Sequence, residues 1–206
     1  MERDKLISKI KSDFKGIKLR NGIGLWEAQG LDDRLTIEEC KKLRNRDEKE
    51  DWSNISVVDL YKCNSSLSFF DTQGMLFHLP ILLLFALDYF EEEEDRLAEQ
   101  DFNLFHNAPD IEFHLLSNLK YLNDTSKNAK RMRAYHQERF SLLNKNQIEC
   151  IIKFLEYRLF EIESYYQEYY VEQLGADAST IKYDTNYIEI QEGIEYWNSR
   201  LEHNTL

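Results

Sequence analysis

Asp71 and His78 are the residues in this chain whose types and spacing come closest to catalytic chemistry. They lie in the segment LSFFDTQGMLFHLP, Leu67–Pro80. A carboxylate beside an imidazole can orient the ring as a general base, because histidine titrates close to neutral pH. The same two residues have a structural reading, in which Asp71 bonds turn amides and His78 packs at a helix entry. A second group is acidic: Glu27, Asp32, Asp33, Glu48, Glu50 and Asp51, with Trp26 and Trp52 beside it. Carboxylates gathered from several loops can hold a hard divalent cation or cover a basic protein surface. Their spacing fits no EF-hand loop and supplies no metal-ligand pattern, and acidic side chains also collect at helix N-termini. Trp26, Glu27, Asp32, Asp33, Asp51 and Trp52 are therefore read as candidate partner-binding residues, with no metal site and no cofactor.

Two weaker groups complete the inventory. His106, Asp110 and His114 are spaced four apart, as ligands on one helical face would be, but Pro109 interrupts the run. Lys127, Lys130, Arg131, Arg133 and Arg139 form a basic run that could grip an anion, or could face solvent and pair loosely with Glu91–Asp95. The chain has no Gly-x-Ser-x-Gly elbow, no P-loop and no His-Glu-x-x-His. Gly22-Ile23-Gly24 lacks the third glycine of a dinucleotide fingerprint.

The composition limits what can position these groups. A chain of 206 residues with 42% hydrophobic and 13% aromatic residues can build one packed domain, expected to span 1–206. Two prolines and seven glycines leave few chain breakers, so the expected fold is mainly α. A net charge of −12 repels nucleic acid. Cys40, Cys63 and Cys150 are too scattered for a disulfide framework and suit the reducing cytoplasm. The most apolar run, Leu79–Leu87, falls short of a bilayer span, so no membrane association is expected.

The periodicity predicts an amphipathic helix over Arg3–Lys15 ending near Gly16, a glycine-bearing loop, and a short helix capped by Thr36 and running to Leu43. Ser56 offers another cap. Leu67–Phe70 and Met75–Leu79 read as two short strands of a small β-hairpin, with Pro80 opening a helix over Ile81–Gln100. Phe102–Leu122 reads equally as strand or helix. Thr125 or Ser126 caps a helix through Tyr135, and Asn144 caps a long one closing at Gly175. Its stripe of Ile148, Ile152, Leu155, Leu159, Ile162, Tyr166 and Tyr169 fits intramolecular packing, or a weak dimer through the long helix. A last helix is expected over Tyr187–Leu201. The architecture is a single irregular helical bundle.

The segments GIGLWEAQGLDD (Gly22–Asp33), EKEDW (Glu48–Trp52), LSFFDTQGMLFHLP (Leu67–Pro80) and RFSLLNKNQIECIIKFLEY (Arg139–Tyr157) together resemble an uncharacterised family of small bacterial proteins. The resemblance implies a bacterial cytoplasmic protein and no established activity. Leu76 stands where that family often has a basic residue. Two functions remain open: an acidic interaction domain, of the immunity or inhibitor kind, that binds a basic protein, and a hydrolase-like or metal-assisted enzyme. The enzyme would use Asp71 and His78 with carboxylates of the 27–51 loops.

Overall fold

The computed structural model describes residues 2–99 and 107–203; it is mainly helical, and the described residues include no strand. The chain divides into two compact units, one of Met1–Lys9 with Asn144–Leu206 and one of Ile10–Leu143. Helix α1 (Arg3–Asp13) contributes residues to both.

In the larger unit, short helices are started by side-chain caps. Helix α2 spans Leu25–Asp32 and α3 spans Ile37–Leu43. At the start of α3 the Thr36 hydroxyl accepts from Glu39 N at 3.3 Å while the Glu39 carboxylate accepts from Thr36 N at 2.9 Å. That reciprocal pair is the expected capping box, and it satisfies amides that have no partner within the helix. Ser56 caps α4 (Val57–Lys62), Asp110 caps α7 (Ile111–Leu116), and Ser126 caps α8 (Lys127–Arg139). Between α4 and α8 lie α5 (Thr72–Phe85) and α6 (Glu91–Ala98).

The hairpin expected over 67–79 is replaced by helix. Ser66–Phe69 is one 3₁₀ turn, and α5 starts at Thr72 because the Asp71 carboxylate accepts from Gly74 N at 2.7 Å. Every residue from Gly74 to Phe85 is buried. A segment buried all round lacks the one-sided periodicity that separates strand from helix, so its short apolar runs read as strands. Pro80 lies inside α5 rather than at its start, where it removes one backbone donor. The expected helix over Ile81–Gln100 is also divided. Alpha-helical geometry ends at Phe85, Asp88 takes a left-handed φ of 53°, and α6 begins at Glu91 with four glutamates at its positive end. Gln100 lies outside the described residues. Within the ambiguous stretch 102–122, residues 102–106 likewise lie outside them, and the rest is helical, as α7 and a 3₁₀ turn at Leu119–Tyr121.

The smaller unit is built on α9 (Lys145–Tyr165) and α10 (Thr185–His203), which pack against each other. Asn144 and Gln147 form a capping box at the start of α9. The helical path continues as a π-helical stretch over Tyr166–Gln173 and reverses at Gly175, whose φ of 68° is a conformation that favours glycine. The stripe on α9 is buried at Ile148, Ile152 and Leu155 and emerges toward Tyr169. Trp197 of α10 is fully buried.

Replacing Asn144 with Ala removes one half of the α9 cap and should cost about 1 kcal/mol, while Asn144→Asp should retain most of it. Urea denaturation followed by circular dichroism reads the difference; equal stability of the Ala variant would remove the cap from the account of this helix.

Candidate functional site around Asp47 and His78

Three close approaches of backbone assemble the region around Asp71 and His78. A Cβ on Gly22 would lie 2.7 Å from Gly74 N, and one on Gly74 would collide with the Ile23 carbonyl. The loop Gly22–Gly24 therefore lies directly on the first turn of α5. One oxygen of Asp71 joins them, accepting from Gly74 N at 2.7 Å and from Ile23 N at 3.0 Å. Arg44 holds the same loop from the other side. Its guanidinium donates to the carbonyls of Gly22 and Arg20 and forms an ion pair with Glu27.

Gly24 occupies the N-cap of α2 and has no side chain to offer the first amides of the helix. Asp47 supplies the cap from elsewhere in the chain. Its carboxylate accepts from Trp26 N at 2.6 Å and Glu27 N at 3.4 Å. A Cβ at Gly24 would collide with that carboxylate, so glycine is required there by space. Asp47 is only 8% exposed, and burial pushes its carboxyl up to about 6 even though the two amides favour its charged form.

His78, on α5, is buried against Phe70, with the rings stacked at 4.3 Å and 4° apart. Its Nδ1 is 2.7 Å from Gly74 O. A carbonyl only accepts, so Nδ1 carries the proton and Nε2 is the acceptor of a neutral ring. Burial lowers the imidazole to about 4. Asp71 and His78 are thus engaged separately: the first is a helix cap and loop tether, and the second bonds its own helix.

His78 does meet carboxylates, at a place the sequence reading missed. Trp26, Arg46, Asp47, Glu48, Asn54, Asp59 and His78 line a polar recess of about 180 Å³. The Arg46 guanidinium covers the Trp26 ring at 3.4 Å. Asp47 and Arg46 fell outside the acidic collection singled out from sequence; the available signal was the glycine at the N-cap of α2, which demands an acceptor from another segment.

The remaining candidates separate. Trp52 is 3% exposed and its indole N–H donates to Phe14 O at 2.9 Å, so it is a core anchor and not a surface residue. Glu27 is tied to Arg44. Asp51 caps a 3₁₀ turn through Ser53 N. Asp32 and Asp33 are exposed, and Asp33 accepts from Gln29 at 3.0 Å. Trp26 is half-buried in the recess wall. His106 lies outside the described residues, Asp110 caps α7, and His114 accepts from Arg139. No group of three or more potential metal ligands occurs among the described residues, and no described helix is long and apolar enough to cross a membrane.

These features define an acidic helical protein whose motifs serve mainly to clamp a glycine loop over a buried histidine. Residues 2–200 match the family described as "Family of unknown function (DUF6714)", and the chain belongs to that family. No curated protein and no solved structure matches the chain.

Two opposing titrations follow from this site. His78 is depressed, so its contribution to stability is present above pH 6.5 and is lost as pH falls toward 4. Asp47 is raised, so its contribution is present below pH 3.8 and is lost as pH rises through 6. Asp47→Asn keeps an acceptor for Trp26 N and removes the second slope. On acidification from neutral pH toward 4 the variant should lose stability more steeply than wild type, by up to about 1.4 kcal/mol per pH unit. Denaturation midpoints across that range test this, and parallel profiles would contradict it.

Proposed function

We propose that the chain is an acidic protein-interaction domain of the cytoplasm, of the immunity or inhibitor kind, that covers a basic protein partner. The observation that carries this reading is the corner between α2 and α3. Residues 31–39, LDDRLTIEE, are exposed without a break. Leu31 and Leu35 are each 39% exposed and Ile37 is 73% exposed. Asp32, Asp33, Glu38 and Glu39 surround them against the single cation Arg34. Exposed aliphatic side chains supply contact area, and a rim of one charge sign steers a partner of the opposite sign. The buried free thiols at Cys40, Cys63 and Cys150 suit a reducing compartment.

A second reading is favoured by the recess at Asp47 and His78. A carboxyl raised to about 6 beside a neutral imidazole is a pairing suited to acid–base work near neutral pH, as a hydrolase would use it. Hydrolysis of nitrophenyl esters or phosphates that disappears in Asp47→Asn would favour it over the interaction reading.

The interaction reading is tested with a partner identified by cross-linking, then re-expressed and purified. Ile37→Glu should weaken its binding about tenfold. Asp32→Lys combined with Asp33→Lys should slow association by a similar factor and flatten its salt dependence. A partner bound equally by wild type and both variants would overturn the assignment of this corner.

A further inference from the structure

The basic run on α8 does not behave as a unit. Lys130 and Arg131 are exposed, and Arg133 donates to the carbonyls of Tyr121 and Asp124. Arg139, the last residue of α8, is 5% exposed. Its Nη1 donates to His114 Nδ1 at 3.1 Å, while Nε and Nη2 are buried with no hydrogen-bond partner. No described carboxylate forms an ion pair with it. A buried guanidinium left with two free donors is costly, and those two nitrogens form the side of the fork that grips a planar two-oxygen group.

Arg139 lines a cavity of about 240 Å³ within the larger unit. Asn118 lines it too; it is 2% exposed, and both its Oδ1 and its Nδ2 lack a partner. Two buried polar side chains with four unpartnered atoms thus share one cavity. Buried polar groups are ordinarily satisfied, so such a cluster marks a place where a ligand completes the set. The walls are Phe113, Tyr121, Met132 and Tyr135, which offer flat and adaptable apolar surface. In a chain with 38 acidic residues the cavity lining contains none, whereas Arg139 and Lys120 are both present.

His114 fixes the fork. An arginine only donates, so His114 Nδ1 accepts, and the neutral ring carries its proton on Nε2. Burial, reinforced by Arg139, lowers this imidazole to about 3, which keeps it an acceptor throughout the physiological range.

We infer that this cavity is a binding site for a small organic carboxylate with a flat apolar body, its carboxylate held by Arg139 and Asn118 and its body between Phe113, Tyr121 and Tyr135. The guanidinium sets the charge of the ligand, the paired free donors favour a planar head, and the volume limits the body to about one ring. The site is separate from the corner between α2 and α3, so each can fail without the other.

The test uses the full chain and benzoate, with benzamide as its neutral analogue and inorganic phosphate as a bare anion. In nitrogen-edited NMR, benzoate at millimolar concentration should give saturable shifts of the Arg139 Nε–H and of the His114 and Tyr135 ring signals. Benzamide should give none, and phosphate should bind at least tenfold more weakly. Asn118→Leu removes two unsatisfied buried atoms in nearly the same volume. It should raise the Tm of the ligand-free protein and weaken benzoate binding at least tenfold. Absence of saturable benzoate shifts, equal binding of benzamide or phosphate, or a lowered Tm with unchanged binding in Asn118→Leu would each overturn the inference.

Discussion

The larger unit depends on one steric constraint, the contact of the Gly22–Gly24 loop with the first turn of α5. Gly22 and Gly74 leave no room for a side chain between the two backbones, and Asp71 bonds one amide from each with a single oxygen. A second carboxylate repeats the arrangement at Gly24, where Asp47 occupies the space a side chain would take and bonds the amides of Trp26 and Glu27. Helix starts are where backbone donors are left over, and each start here is satisfied by a residue distant in sequence. The two caps therefore act as tertiary links as well as local ones, fixing α2, α5 and the segment around Asp47 relative to one another. Arg44, bonding Gly22 O, Arg20 O and Glu27, closes the arrangement.

That arrangement explains why the most motif-like segments carry so little visible chemistry. In GIGLWEAQGLDD and LSFFDTQG the glycines are required by close approach and the aspartate by its two amides. His78 follows from the same geometry: one turn beyond Gly74, it bonds the carbonyl of the glycine that the loop covers. The recess beside it is lined by groups brought in by the clasp, Trp26 and Asp47 among them. A motif in this chain is first a record of which backbones touch.

Local signals were readable where one segment supplies all the parts. Thr36 with Glu39, Ser56, Ser126, and Asn144 with Gln147 each lie within a few residues of the amides they serve, and the helices they start appear where the spacing puts them. Legibility ended where a partner came from elsewhere. Asp71 carried no sign that it would bond Ile23, 48 residues away, and so read as a turn residue. Trp52 read as a surface aromatic because it sits among charges, yet its indole reaches Phe14 O in the core. Met75–Leu79 read as a strand because burial on every side erases the periodicity of a helix.

Arg139 shows the same limit in its most consequential form. By position it closes a basic run on a helix and belongs with the exposed Lys130 and Arg131. Arg139 stands eight residues after Arg131, and helix geometry turns the chain by about 100° per residue, so the two nearly share a face near the ends of a 13-residue helix. What buries one and exposes the other is the cover over the C-terminal end of α8, including His114 and the aromatics of α7 and its following turn. A protein that needed only stability would fill this space with apolar side chains, since an unpaired buried guanidinium costs more than it returns. Keeping Arg139 with two free donors, next to Asn118 with a free amide, sacrifices folding free energy at one location. Asp47 and His78 are a milder case, because each retains hydrogen bonds to backbone while burial disfavours its charged form. The unsatisfied pair is therefore the feature least explained by folding, and the one for which an occupant accounts most directly.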